Sequence, residues 1–402
     1  MISIMQTSGV RRIFIIAGIV SLFVSYLGIW IRFINDPVER TGADFIHFYS
    51  AGRLAQSEGA AHVYDLLLQQ KIEEQQVGFP LAPGQVLPYN HLPFLIPILQ
   101  TVVNTDYVNS FYKWVFIMIV LFITGIVTLG RMLIESGMDR KSIILTAIGS
   151  FLFLPLFFSL MNGQDTAFLF LGAAIWMYGL VSGREMLAGF GLSLTTVRPH
   201  IALILALPML FRYRKVFLGF ALGAGVLALV SFLIIGMEGT QEFINVLLIS
   251  AGGEWYGMKQ YAMYNLIGIL TRNLPWLGSE TIRTIGWMVY GATIIALCIF
   301  WARSKDLQVG QIGLTVILAL FSVPHLHFHD LTLLLIPIYE LVRSSAQNER
   351  LKTSIATVLP IAISLLLLIG NISPMLQYTF SYLIMLALTV FPYYSKYKAP
   401  IS

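Results

Sequence analysis

Apolar runs of about 20 residues, almost free of charge, recur from one end of this chain to the other. A run of that length crosses the hydrocarbon core of a bilayer as a helix. Spans are read near residues 13–33, 110–134, 143–161, 166–182, 216–236, 284–302, 309–323, 331–343, 354–371 and 375–393. Between 187 and 211, Arg198-Pro199-His200 interrupts an apolar stretch, and the pattern predicts two short helices meeting at a polar break. The expectation is an all-α polytopic integral membrane protein with about twelve transmembrane helices, forming a single domain over residues 1–402.

Composition closes off the other classes. Hydrophobic residues are 57% of the chain and charged residues 11%, against about 25% charged in a soluble domain. So few charges do not cover a water-facing surface of this size. A soluble globular enzyme, a disordered chain and a nucleic-acid binder are excluded. The single cysteine, Cys298, rules out an internal disulfide framework and sits in an apolar run as a small core residue.

Twelve crossings place both ends on one side. Sixteen of the 25 basic residues then share that side, among them Arg131, Arg140, Lys141, Arg212, Arg214, Lys215, Arg350, Lys352, Lys396 and Lys398. Positive residues stay in the cytoplasm, so both termini are expected there. The first apolar segment has no small-x-small cleavage site and reads as a retained helix. The localisation this predicts is a multi-pass protein of the bacterial inner (plasma) membrane.

The outer face carries the patterned loops. The first, about 34–109, contains Ala51 to Leu68 with apolar residues at helical spacing. It also contains Tyr89-Asn90-His91-Leu92-Pro93, followed by an apolar stretch to Val103 that is too short to span. That stretch is expected to be interfacial or re-entrant. A second outer loop is expected over about 237–283.

Five features on that face could carry chemistry. Asp44 lies just past the first span among aromatic and apolar neighbours, as a general base or as the N-cap of the next helix. Asn162-Gly163-Gln164-Asp165 is a turn signal. It reads either as a polar hairpin with Asp165 solvated or as Asn162 and Gln164 pointing into an outer cavity. Arg198 at its helix break is costly in a membrane unless paired or facing a polar cavity. It reads either as a phosphate-binding fork or as an arginine snorkelling to headgroups. His325-Leu326-His327-Phe328-His329-Asp330 offers histidines, but no further His, Asp or Glu cluster completes a zinc set. That turn is a contact for a phosphate or sugar, or plain interfacial polarity. The outer-loop aromatics Tyr49, Tyr64, Tyr89, Trp255, Tyr256, Tyr261 and Tyr264 either stack on sugars or form the aromatic belt of any membrane protein. Phosphate-binding glycine loops are absent, which disfavours ATP-driven transport, and mid-span charges are scarce, which disfavours ion coupling.

These features occur in a particular order. An aromatic-flanked Asp44 and Tyr49 follow the first span; then come Tyr64-Asp65, Tyr89-x-x-x-Pro93, Gly163-Gln164, Arg198-Pro199 and the His-rich turn at 325–330. The chain thereby resembles, from about residue 13 to 390, the polyprenyl-phosphate-mannose-dependent mannosyltransferases of glycosyltransferase family 87, which includes the DUF2029 proteins, within the GT-C class. The resemblance implies a membrane enzyme that moves a hexose, mannose, from a polyprenyl-phosphate carrier to a glycolipid or glycan acceptor on the extracytoplasmic face, with inversion. Asp44 matches the place of the family's catalytic carboxylate. Arg198, His200, His327, His329 and Gln164 are the implied contacts to donor phosphate and sugar, with Tyr49, Tyr89, Asn162, Tyr264 and Asn265 lining the cavity. The residues after Asp44 are Phe45 and Ile46, so the Asp-x-Asp metal pattern of some GT-C relatives is missing, and no metal or other cofactor is expected. Partners are the donor, the acceptor and membrane lipids, with no nucleic acid. One departure is Arg-Pro at 198–199 where relatives also carry Lys-Pro. A transporter or flippase of lipid-linked glycans, or a GT-C enzyme with another sugar donor, are the alternatives.

Overall fold

The computed structural model describes residues 8–35, 44–252, 260–345, 358–365 and 367–368. Among them every regular element is helical. The expected span at 375–393, part of that at 354–371, and Arg350, Lys352, Lys396, Lys398, Trp255 and Tyr256 lie outside the described residues.

α1 (Ser8–Asn35) holds a 22-residue stretch, Arg12–Phe33, long and apolar enough to cross a membrane. The first outer loop then folds into helices of its own: α2 (Phe45–Ser57), α3 (Leu66–Val77) and, after Pro93, the short α4 (Ile96–Val102). The seven residues of α4 are far too few to span, as the interfacial reading requires. α5 (Tyr107–Glu135) is a second span. α6 (Arg140–Phe151) and α7 (Leu154–Met161) are bent by 47° at their junction. Pro155, in the first turn of α7, has no N–H to continue the ladder of α6.

α8 (Thr166–Val181) is buried on nearly every side, which suits a helix apolar all round. It packs against α5 and against α9 (Glu185–Ser193). Glycine makes the second contact possible: a Cβ on Gly179 would sit 2.6 Å from the Ala188 backbone nitrogen. A 3-10 turn at Leu194–Val197 leads to α10 (Pro199–Arg212), so the polar break at Arg198 joins two short helices. Next come α11 (Arg214–Gly252), α12 (Leu266–Asn273), α13 (Ser279–Arg303), α14 (Gln311–Ser322), a 3-10 run at Phe328–Leu334, and α15 (Leu335–Ser344). α11 is two helices end to end, broken at Gly236, whose φ of +65° favours glycine. The chain beyond Gly236, expected to begin an outer loop, therefore stays helical to Gly252.

Four helices pass the test of length and apolarity for a span, and the bent α6–α7 pair makes a fifth, among the described residues. α8, α10 and α14 have 16, 14 and 12 residues, shorter than the roughly 20 that cross a bilayer unaided.

Helix starts separate the acidic residues into two groups. Asp65, Asp106 and Asp139 accept hydrogen bonds from backbone N–H groups one turn on, and so cap α3, α5 and α6. Asp44 and Asp165 occupy the same position before α2 and α8, yet neither side chain caps its helix. Both carboxylates are engaged elsewhere, at one place.

Candidate active site

The turn between α7 and α8 is the frame. Gly163 has φ +68°, and a Cβ there would lie 2.7 Å from the Cβ of Phe45. Only glycine allows this turn to close against the start of α2. Trp114 of α5 donates its indole N–H to the Gly163 carbonyl at 2.7 Å. Gln164 and Asp165 are thereby presented side by side, both buried.

Gln164 donates from Nε2 to Asp44 Oδ2 at 2.8 Å, and its Oε1 accepts from Arg198 Nη2 at 3.2 Å. An acceptor on one side and a guanidinium on the other fix which end of the amide is which. Arg198 is 8% exposed and lies between two fully buried carboxylates. Its Nη2 is 3.0 Å from Asp165 Oδ1 and its Nε 3.2 Å from Asp330 Oδ1. Nη1 donates to the Val197 carbonyl at 3.1 Å and abuts His91 Nδ1 at 3.3 Å. His91 Nδ1 is also 2.7 Å from Asp165 Oδ2. The shorter contact decides the tautomer: Nδ1 carries the hydrogen toward Asp165, leaving Nε2 as the other ring nitrogen.

Three segments hold this network in place. His91 is anchored through its carbonyl, which accepts from Tyr64 Oη at 2.6 Å, while Gln69 Oε1 accepts from Tyr89 N at 2.7 Å. Asp330 accepts from the His327 N–H at 3.2 Å, which fixes the His-rich turn. The Tyr264 N–H donates to the Leu326 carbonyl at 3.0 Å, tying the segment before α12 to that turn.

Charge and burial set the protonation. Burial raises Asp165, but Arg198 and then His91 outweigh it and leave its carboxyl well below the ordinary range. Burial also raises Asp330, and Arg198 again reverses the sign. His329 is pushed down to about 4, by burial first, with Asp330 opposing. His47, His325 and His327 are likewise lowered, each chiefly by burial. These four imidazoles are neutral at neutral pH.

The network forms one end of a cavity of about 600 Å³. Asp44, Asn162, Gln164, Arg198, His200, Tyr264, His327 and His329 all line it. The buried Nε2 atoms of His47, His200 and His329, all lining residues, have no hydrogen-bond partner. Such atoms cost free energy unless a ligand or water meets them. Among the described residues no group of three or more His, Cys, Asp or Glu side chains is arranged to hold a metal ion.

Several sequence expectations are corrected. Asp165 is fully buried and ion-paired, so the solvated-hairpin reading fails: its neighbour Gly163 folds the turn inward against Phe45. Tyr49 does not line the cavity; its ring packs on Phe45 and Tyr107. Tyr89 is fully buried behind the wall, against Phe48, Tyr64 and His91. Asn265 caps α12 through the Gly268 N–H and donates to the Val323 carbonyl, so its side chain is used in the scaffold. Arg198 is no snorkelling residue, being enclosed by carboxylates.

Five residues were given no role from the sequence: the cavity-lining His47 and Arg283, His91, the paired Asp165 and Asp330. A signal existed for two of them. A buried guanidinium needs carboxylate partners, and Asp165 and Asp330 each close a motif already singled out.

The model of a protein family described as glycosyltransferase family 87 matches residues 92–324, more than half of the chain. No curated protein and no solved structure matches. The matched stretch carries Asn162, Gln164, Asp165, Arg198, His200 and Arg283; Asp44 and His91 precede it, and the His-rich turn follows it.

Proposed function

The chain belongs to glycosyltransferase family 87, which makes it a membrane glycosyltransferase, and from that premise we propose that it transfers a hexose, mannose, from a polyprenyl-phosphate carrier to a glycolipid or glycan acceptor. Transfer takes place on the extracytoplasmic face of a bacterial inner membrane whose cytoplasmic side holds both termini. Membership favours bond-making transfer over the transporter or flippase alternative.

One observation carries the reading: Asp44 stands at a helix N-cap without capping it, lines the cavity, and is held by Gln164. An aspartate capping its own helix has its oxygens directed at backbone N–H groups. Here one oxygen accepts from an amide whose direction Arg198 fixes, and the carboxylate faces the space where substrates bind.

In the proposed reaction Asp44 takes the proton of an acceptor hydroxyl. The hydroxyl oxygen bonds to the anomeric carbon from the face opposite the phosphate. The bond from that carbon to the phosphate oxygen breaks, and its electron pair leaves with the lipid monophosphate. Backside attack inverts the anomeric configuration. The Nε2 atoms of His47, His200 and His329 supply hydrogen bonds to sugar hydroxyls and phosphate oxygens, and His327, Asn162 and Tyr264 complete the wall. Asp44 is followed by Phe45 and Ile46 rather than a second aspartate, and a single-phosphate donor needs less charge neutralisation than a diphosphate. The reaction is therefore proposed to run without a metal.

The test is Asp44→Asn, assayed with a synthetic polyprenyl-phosphate mannose in detergent. Loss of a general base lowers turnover by about 10²–10⁴-fold. Turnover equal to that of the unaltered protein removes Asp44 from catalysis.

A further inference from the structure

The two ring nitrogens of His91 have separate duties. Both hydrogen-bond contacts of the side chain run through Nδ1, to Asp165 Oδ2 at 2.7 Å and to Arg198 Nη1 at 3.3 Å. Nε2 is the remaining polar atom of a side chain that lines the cavity. With the hydrogen on Nδ1, Nε2 holds a lone pair and can only accept. The ring is gripped in this orientation. His47 stacks on it at 4.9 Å with 12° between the planes, and Phe48 and Tyr89 lie against it at 4.5 and 5.5 Å. Turning it over would take a buried carboxylate oxygen of Asp165 away from its donor.

His91 and Asp44 are neighbours by two routes. Gln164 and Asp165 are consecutive residues of one turn; the first holds Asp44 Oδ2 at 2.8 Å and the second holds His91. On α2, His47 stands three residues after Asp44, on the same face of the helix, and its ring is the one stacked on His91. One end of the cavity thus presents two oriented acceptors, a carboxylate and an imidazole nitrogen. Whatever the acceptor substrate, the donor's reacting carbon has to meet the hydroxyl that Asp44 deprotonates. The donor hexose therefore lies at this end, and its own hydroxyls need partners there once they leave water.

We propose that His91 is a specificity-determining residue of the transfer. Its Nε2 accepts a hydrogen bond from one hydroxyl of the donor hexose, and Asp165 is the positioning residue that keeps His91 in the accepting tautomer. This deepens the donor assignment above and rests on it. A carboxylate behind an imidazole fixes which nitrogen carries the hydrogen and strengthens the other as an acceptor. A sugar that lacks the hydroxyl is rejected, because the acceptor is then left unpaired in a buried site.

Binding is measured by thermal stabilisation of the whole chain in detergent, titrated with synthetic polyprenyl-phosphate mannose and with each of its four monodeoxy forms. The unaltered protein binds one deoxy form about tenfold or more weakly than the parent. In His91→Phe, which keeps a ring in the stack and removes the acceptor, that preference disappears. Asp165→Asn reads the tautomer. Oδ1 of residue 165 faces Arg198 Nη2 at 3.0 Å, so the amide oxygen takes that side and the amide N–H faces His91. The amide then donates to Nδ1, the hydrogen moves to Nε2, and the acceptor becomes a donor. A deoxyfluoro sugar at the same position accepts a hydrogen bond but cannot donate one. The unaltered protein rejects it, and Asp165→Asn improves its binding relative to the parent sugar. A purely structural Asp165 would weaken every sugar in equal proportion, and that result overturns the tautomer role. Equal binding of the parent and all four deoxy forms by the unaltered protein overturns the hydroxyl contact. A preference retained in His91→Phe overturns its assignment to His91. The donor assignment falls separately, if polyprenyl-phosphate mannose does not stabilise the unaltered protein at all. The melting midpoint without ligand separates a folding defect from a binding one, and His91→Leu removes the same acceptor if the phenylalanine variant does not fold.

Discussion

Two arginines line the same cavity in opposite circumstances. Arg198 sits among Asp165, Asp330, Gln164 and His91, is 8% exposed, and uses every guanidinium nitrogen on the protein. Arg283 lies near an apolar wall shared with Trp287, and its carboxylate partner is almost wholly exposed. The difference is one of role. The first is a structural hub that joins α8, α10 and the turn before α15, and it sets the direction of the amide holding Asp44. The second pairs with Glu280, three residues back on its own helix. Charge in a membrane site is informative only once its partners are counted.

Removing the hub tests the contrast most severely. Arg198→Ala leaves two buried carboxylates without a counter-charge and is expected to destabilise the protein by about 3–5 kcal/mol, read as a large drop in melting midpoint. Arg283→Ala leaves the exposed Glu280 to solvent and is expected to shift the midpoint less than Arg198→Ala. Equal shifts for the two variants erase the distinction.

Gln164 gives the next largest effect. Gln164→Ala removes a hydrogen bond to the Asp44 carboxylate and is expected to lower kcat by about 10–100-fold, with the donor KM nearly unchanged. Gln164→Glu places a second carboxylate 2.8 Å from the first. The pair then shares a proton, and the acid limb of the rate profile moves to higher pH. An unmoved profile makes Gln164 a packing residue only.

The smallest effect comes from the histidines around the hub. His329 lies at about 4 instead of its ordinary 6.5, and His47, His325 and His327 are lowered as well. Below 6.5 the unfolded chain binds more protons than the folded one, so stability falls as pH drops from 6.5 toward 4. Asp165 and Asp330, both lowered, hold their contribution until pH falls below the ordinary carboxylate value. A melting midpoint in detergent that declines between about pH 7 and about pH 5 supports burial of neutral imidazoles; a flat profile contradicts it.

The sequence by itself determined the class of molecule. Runs of about 20 apolar residues with 11% charge overall leave a helical membrane protein, and the helix break at Arg198 is legible because proline and a charge interrupt an apolar run. Asp44, Gln164 and Arg198 could be singled out too, since polar groups are scarce enough there to be read one at a time, and the three line one cavity. Tertiary structure decided the partners. Asp65 and Asp44 are both aspartates just before a helix, and no local rule tells the one that caps from the one that does not. Asp165 and Asp330 lie 33 and 132 residues from Arg198 along the chain, and only packing brings them within 3.2 Å of it. Tyr49, Tyr89 and Arg283 differ in the same way: helical periodicity places a side chain on a face, but whether that face meets a cavity, a core or lipid depends on neighbouring helices distant in sequence. Local chemistry is written residue by residue, whereas charge pairing in a low-dielectric interior is a property of contacts between segments.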